Sequence, residues 1–376
     1  MRPLVSATLA KLPKYVPGKS IEAVKRELGL AEIVKLASNE SPFGPSPRAV
    51  EAMRRSMGEI HRYPDDGREL RDALGERLGV TADQLILGAG ATDLIELCVR
   101  TFATPDGHAV FSNGSFVAYK LFLLGNGVPF TETPLAKWDV DLDAIAAAAT
   151  DKTQLAFIAN PNNPTGTRFG RAQLERFLAK LPEHVVLVLD DAYKDYDDSP
   201  DRPDSVSYLA KRPRTVVLQS FSKVHGLAGM RVGYGIANPE LIGAMSQVHR
   251  PFPVARLALD GARAALDDHE HFQRTVEGTR KGRVVLTAGL KELGFTVLPT
   301  QTNFVTLELA SQAAATALTD RLLHLGFIIR PLASFGMPSH ARISVGNEAE
   351  LSRVMAALQR VLKDDPTLCR AGERSR

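Results

Sequence analysis

Lys223 lies within the run Ser220-Phe221-Ser222-Lys223-Val224-His225-Gly226-Leu227-Ala228-Gly229-Met230-Arg231, directly after the apolar stretch Thr215 to Leu218. An amine that forms a Schiff base needs unobstructed access to a carbonyl carbon, so small neighbours suit it. Two hydroxyls and a guanidinium eight positions on suit an anion held beside that amine, and the planar fork of Arg231 matches phosphate well. Together they describe a lysine joined to a phosphorylated aldehyde cofactor, the chemistry of pyridoxal phosphate. Taken alone, the segment is equally well read as a surface lysine in a Gly/Ser loop.

Four further clusters share this pattern of an apolar run ending in polar residues. Gly88-Ala89-Gly90-Ala91-Thr92-Asp93 stands between a strand and a helix. Its glycines allow close backbone approach to an anion, the helix start offers free N–H groups, and Thr92 is placed to cap the helix and donate to phosphate. It lacks the third glycine of a dinucleotide fingerprint and the lysine of a P-loop, and by itself it is better read as a plain capping turn. Asn160-Pro161-Asn162-Asn163-Pro164-Thr165-Gly166 fixes a loop and aims side-chain amides, with Asn163 able to donate to a phenolate oxygen. Asp190, in Leu189-Asp190-Asp191-Ala192-Tyr193, is a carboxylate at the end of a buried strand and needs a partner there. A protonated ring nitrogen is one such partner, with Tyr193 reaching the same ligand; capping of the next turn is the other reading. Phe116, in Ser115-Phe116-Val117-Ala118-Tyr119, either lies flat on a ring or belongs to the core.

These clusters must be positioned by the elements around them. The runs Gln84 to Leu87, His108 to Phe111, Leu155 to Ala159, Val185 to Leu189 and Thr215 to Leu218 read as strands buried on both faces. Helical patterns alternate with them: Ser46-Pro47 opens one, and Leu94, Ile95, Cys98, Val99 and Phe102 line one face of another over Thr92 to Phe102. The alternation predicts an open α/β sheet, in which ligands gather where strands end and loops begin.

The chain has 376 residues, 44% hydrophobic and 24% charged, with a net charge of +3 from 46 basic and 43 acidic residues. That balance gives no basis for a nucleic-acid or membrane surface. Two cysteines, Cys98 and Cys369, do not make a disulfide scaffold. Met1 to Ser20 lacks the apolar core of a signal peptide, and no run approaches the roughly 20 residues that span a bilayer. A soluble, cytoplasmic protein is expected.

From about Ala255 the pattern changes to a long helical stretch, roughly Leu257 to Leu293, followed by strands at Phe295 to Leu298 and Asn303 to Leu309. A helix, strands at Phe327 to Arg330 and Ala341 to Val345, and a helix over Ala349 to Leu362 complete a smaller α+β unit. The predicted division is an arm at 1–35 contacting the small domain or a partner subunit, a large domain at 36–255, a small domain at 256–363 and a disordered tail at 364–376. Asp267-Asp268-His269-Glu270-His271 is rich in metal-ligand types, but adjacent helical residues cannot all face one ion, so it reads as a solvated helical face. Lys194-Asp195-Tyr196-Asp197-Asp198 reads as a solvated loop. No metal site is expected.

Five segments in this order and spacing are similar to one family: Leu36-Ala37-Ser38-Asn39-Glu40, Arg62-Tyr63-Pro64-Asp65, Asn160 to Gly166, Ser220 to Arg231, and Arg342-Ile343-Ser344-Val345-Gly346. From about Tyr15 to Leu362 the chain resembles the pyridoxal-phosphate aminotransferases of the aspartate aminotransferase fold, and among them the histidinol-phosphate aminotransferases. The resemblance implies fold type I: a large domain with a mostly parallel sheet of seven-stranded type between helices, and a smaller α+β domain.

It also implies roles. Lys223 would link to the cofactor and then shuttle the proton; Asp190 would pair the pyridine nitrogen, with Asn163 and Tyr193 on the phenolic oxygen and Phe116 against the ring. Ala91, Thr92, Ser220, Ser222 and Arg231 would form the phosphate cup. Tyr63 would reach the neighbouring subunit's cofactor, implying a homodimer. Asn39 would line the substrate site, Arg342 would hold the α-carboxylate, and Arg330 with a cross-subunit Tyr15 would grip the substrate's own phosphate. The implied reaction exchanges an amino group between histidinol phosphate and 2-oxoglutarate by a ping-pong route. Alternatives on the same scaffold are an aromatic amino acid aminotransferase and a phospho-amino-acid decarboxylase. Pro253 and Ala255 replace asparagines frequent in the family near the substrate, a departure that bears on the amino donor.

Overall fold

The computed structural model describes Leu4 and residues 20–369. The apolar runs form a seven-stranded sheet in the order Leu85–Gly88, Gly233–Ala237, Thr215–Ser220, Val186–Asp190, Thr153–Ala159, His108–Ser112, Phe130–Thr133. Gly233–Ala237 runs antiparallel to both neighbours, and the remaining neighbouring pairs are parallel. Side chains alternate across each strand. Val186 and Val188 pack with the helices Ala91–Phe102, Val117–Gly125 and Pro239–Val248. Leu187 and Leu189 pack on the other face, with Leu142–Ala148 and Arg171–Lys180. Each such buried Val or Leu contributes about 1.5–3 kcal/mol, which makes the sheet a firm floor. The same alternation sends Asp190 toward the Val117–Gly125 face and Asp191 toward the opposite one.

A second sheet of four antiparallel strands, Thr296–Val297, Phe304–Glu308, His340–Ser344 and Arg330–Pro331 in that order, packs against the helices His269–Glu292, Gln312–His324 and Glu348–Asp364. The run predicted as one strand at Phe327 to Arg330 divides. Phe327–Ile328 pairs instead with Val34–Lys35, which fastens the chain before Leu36 to this region. Among the described residues no helix is long and apolar enough to cross a membrane.

Four sequence expectations are corrected. The long helix breaks into Arg256–Leu266 and His269–Glu292 because Asp268 caps the second, accepting from His271 N at 3.2 Å while Ser46 Oγ donates to it at 2.6 Å. Asp268 and His271 are therefore buried, not a solvated face. In the 194–198 run, Tyr196 and Asp197 are buried: Arg168 pairs with Asp197 at 3.0 Å, and Arg283 donates to the Tyr196 carbonyl at 2.9 Å. Residues 364–369 are packed rather than a tail, since Leu368 is buried and Cys369 bridges Leu309. No cluster of metal-ligating side chains occurs among the described residues.

Candidate active site

Five parallel strands end at one rim, in Gly88, Ser112, Ala159, Asp190 and Ser220, and the antiparallel strand begins there at Gly233, opposite both Gly88 and Ser220. Residues just after the parallel strands and just before the reversed one therefore converge. They line a cavity of about 300 Å³, roofed by Ala37 to Glu40 and by Arg330, Phe335 and Arg342 of the small sheet region. Ala91, Thr92, Phe116, Asn163, Asp190, Tyr193, Ser220, Ser222, Lys223 and Arg231 all line it. Tyr63 does not: it is 79% exposed and stacks on Phe252 with ring centroids 4.6 Å apart. Tyr15 lies outside the described residues.

Lys223 occupies a turn whose small residues serve packing. Gly226 has φ +67, and a Cβ there would fall 2.1 Å from the Gly44 carbonyl oxygen. Lys223 Nζ donates to the Asn39 carbonyl at 3.4 Å and lies 5.4 Å from the Tyr193 ring centre. Asn39 is a hub in the left-handed region, φ 54. Its Nδ2 donates to Tyr193 Oη at 2.8 Å, its N–H donates to Ser344 Oγ at 2.9 Å, and Asn303 Nδ2 donates to its carbonyl at 3.0 Å. His225, two residues past the lysine, is buried against Phe221 and Phe272, and burial pushes its ring down to about 4, so it is neutral.

Asp190 caps the next turn with one oxygen and is held by a tyrosine at the other, while it lines the cavity. Its Oδ1 accepts from Ala192 N at 3.1 Å, capping the turn, and its Oδ2 accepts from Tyr119 Oη at 2.8 Å. Burial pushes its carboxyl up, and Tyr119, Ala192 and Lys223 pull it back toward the anion.

At the helix Ala91–Phe102 the N-cap is Gly90, not Thr92. Gly90 has φ +84, and a Cβ there would stand 2.5 Å from the Arg231 guanidinium. Arg231 can thus lie against the loop, donating to Ala89 O at 3.2 Å, to Ala228 O at 3.1 Å and to Ser222 Oγ at 3.4 Å. Asp93 fixes the loop from behind, accepting from Ala89 N at 2.8 Å and pairing with Arg250. Ala91 and Thr92 then sit in the first helical turn, where unpaired N–H groups favour an anion.

In the asparagine loop, Asn160 bonds Phe169 and Asn162 bonds Gly114 and Thr165; both are scaffolding. Asn163 Oδ1 accepts from Arg342, which leaves its Nδ2 as the group available to a ligand. Arg342 is buried, donates to the Ala37 carbonyl at 2.9 Å, and lies over Phe304 and Phe335 at 5.0 and 5.9 Å. Arg330 is its direct partner across the antiparallel pair, on the same face, and lies over Phe335 at 5.7 Å. Sequence reasoning missed Tyr119, Asn303, Ser344 and Phe335. Only Tyr119 had a local signal, three positions after Phe116 on one helical face.

Residues 31–358 match the family described as Aminotransferase class I and II, and the chain belongs to that family. It is 42% identical over 362 residues to "Histidinol-phosphate aminotransferase 2" of Pseudomonas fluorescens, covering 96% of this chain and 97% of that protein. It is 41% identical to "Histidinol-phosphate aminotransferase 1" of Nitrosococcus oceani over the same shares. A crystal structure of histidinol-phosphate aminotransferase from Sinorhizobium meliloti in complex with pyridoxal-5'-phosphate superposes with a TM-score of 0.89 at 29% identity, covering 96% of this chain and 98% of that one. The fold is that of the fold type I aminotransferases.

Pyridoxal phosphate is the cofactor of this family, and the residues present fit it. A buried carboxylate held by two donors faces the cavity, a guanidinium lies in a cradle that any side chain on Gly90 would fill, and one primary amine lines the same cavity.

Proposed function

We propose that the chain transfers an amino group from histidinol phosphate to 2-oxoglutarate, using pyridoxal phosphate. The observation that carries the choice of a phosphorylated donor is the pairing of Arg330 with Arg342. Like charges placed directly opposite on neighbouring strands oppose each other. Two guanidinium groups held there suit anionic ligands, the phosphate of the donor in one half-reaction and the carboxylates of 2-oxoglutarate in the other. Arg342, fixed by Asn163 and Ala37, is the carboxylate clamp; Arg330, half-buried and nearer the opening, takes the phosphate.

Bound in this cavity, the cofactor supplies an electron-withdrawing ring that stabilises negative charge developing at the substrate Cα. Arg231, Ser220, Ser222 and the N–H groups of Ala91 and Thr92 would hold its phosphate. Asn163 and Tyr193 would hold its phenolic oxygen, Phe116 would cover its ring, and Asp190 would bind its ring nitrogen. Lys223 Nζ would hold the cofactor and would serve as the base that moves the proton at the substrate Cα. Asn39 sets the start of that path, because its carbonyl accepts from Nζ. Tyr63 and Phe252, stacked and exposed, offer an apolar surface that suits a second copy of the chain in a cytoplasmic homodimer.

The test is a donor panel with the holoenzyme and 2-oxoglutarate as acceptor. Turnover of histidinol phosphate at a kcat/KM well above that of phenylalanine and of unphosphorylated histidinol is expected. Equal use of phenylalanine would make the chain an aromatic amino acid aminotransferase. Carbon dioxide release without a keto acid would make it a decarboxylase.

A further inference from the structure

Tyr119 has no place in the roles above, yet it makes the one side-chain hydrogen bond to Asp190 among the described residues. It is fully buried on the helix Val117–Gly125, whose face meets the strand alternation that aims Asp190. Three rings fix its orientation. Phe157 stacks on it with centroids 4.9 Å apart and planes 15° apart, while Phe116 and Phe111 meet it edge-on at 6.0 and 6.1 Å. Phe116 is itself a cavity wall, so one rigid aromatic cluster joins that wall to the carboxylate.

A buried tyrosine hydroxyl needs some acceptor, and a backbone carbonyl would serve. Here the acceptor is the buried carboxylate that lines the cavity, at 2.8 Å, a normal O–H···O length. A donor at that position favours the charged form of the acid, and hydrogen bonds to charged groups are the strong ones. Burial opposes it: the desolvation of Asp190 favours the neutral acid. A neutral acid could not hold a protonated pyridine, so the hydroxyl stands on the side of the balance that the chemistry needs. Burial and the nearby carboxylate hold the Tyr119 phenol far above its ordinary range, and it remains a donor at any working pH.

We propose that Tyr119 is a positioning residue for the reaction: its hydroxyl keeps Asp190 anionic and aimed into the cavity, so that the cofactor's ring nitrogen stays protonated. This rests on the cofactor reading given above. Other titratable groups facing this pair are Lys223, which also favours the Asp190 anion, Asp191, which opposes it across the strand, and Tyr193 on the cavity side.

The experiment uses holoenzyme reconstituted with pyridoxal phosphate labelled with 15N in the ring, whose chemical shift reports protonation of that nitrogen directly. Wild type, Tyr119→Phe, Asp190→Asn and the double variant are titrated with pH, and cofactor retention is measured by dialysis. Tyr119→Phe keeps the ring and its stacking on Phe157, and removes the hydroxyl alone. The midpoint for loss of the ring proton is expected to fall by about 1–2 pH units and cofactor release to rise about ten- to hundredfold, the range for one hydrogen bond to a charged group. In the Asp190→Asn background, removing the hydroxyl is expected to change neither readout. An unshifted titration in Tyr119→Phe overturns the proposal, as does an equal further loss in the Asp190→Asn background. If wild type takes up no cofactor on Lys223, the cofactor reading itself fails; if wild type is loaded and protonated but Tyr119→Phe matches it, only the inference about Tyr119 fails.

Discussion

Asn39 donates its side-chain amide to the Tyr193 hydroxyl at 2.8 Å, joining residues separated by 154 positions. Because Asn39 also bonds Ser344 and Asn303, this contact couples the ligand-facing phenol to the small sheet region. Asn39→Gly tolerates the left-handed backbone and removes only the side chain. It is expected to cost about 1–3 kcal/mol in urea unfolding, the range for leaving buried polar partners unpaired. An unchanged unfolding midpoint would show that the hub contributes no stability.

Lys223→Ala is expected to abolish the adduct fixed by borohydride reduction, read by mass spectrometry of the intact chain. Cofactor should still bind without a covalent link, through Arg231 and the helix start. An adduct surviving in the variant places the linkage on a different lysine.

The two guanidinium groups should separate by substrate. Arg330→Ala is expected to lower kcat/KM for histidinol phosphate about 10- to 100-fold, one charge-assisted contact, with little effect on 2-oxoglutarate. Arg342→Ala should impair both, and more severely because it also releases Asn163. If Arg330→Ala slows phosphorylated and unphosphorylated donors alike, phosphate recognition is not its task.

Asp191 sets a pH dependence of stability. It is buried, accepts from Ser205 Oγ at 3.0 Å, and burial pushes its carboxyl up from 3.8 to about 7. Between those values the native state keeps a proton that the unfolded chain has released, so stability falls as pH rises through this window. Asp191→Asn removes that loss. The variant should exceed wild type by a few kcal/mol, on the order expected from linkage, at about pH 8, and match it below about pH 4. Urea unfolding across the range checks this; curves that stay parallel would refute it.

The apolar patch at Tyr63 should hold two chains together. Phe252→Asp is expected to shift sedimentation from twice the chain mass to once, since a carboxylate at the centre of an apolar contact is costly. A wild-type chain that sediments as a monomer at micromolar concentration would remove the dimer from the reading.

Lys223, Asp190 and Asn163 were legible as cavity residues because each stands at or just beyond the end of an apolar strand, where alternating α/β sheets collect ligands, and Arg231 because it closes the same motif as Lys223. Tyr119 was not: it sits inside an apolar helical pattern and its partner is 71 positions away. Asn303 and Ser344 gain meaning only through Asn39, more than 260 positions earlier. The break at Asp268 was hidden for the same reason, since helical periodicity runs through it and its partner Ser46 is 222 positions distant. Asp197 looked solvated because nothing local reveals Arg168 arriving beside it. Thr92 was a better cap by type than Gly90, but Arg231 demands a residue without a side chain at the cap.

The single reversed strand, Gly233–Ala237, has an architectural outcome. It starts at the rim where the preceding strand has just ended, so Lys223 and Arg231 belong to one short connection between adjacent strands. A deletion or insertion there would displace the tethering amine and the phosphate clamp at once. The loops after Ala159 and Asp190 each carry their share of the cavity separately, whereas this turn can diverge only as a block.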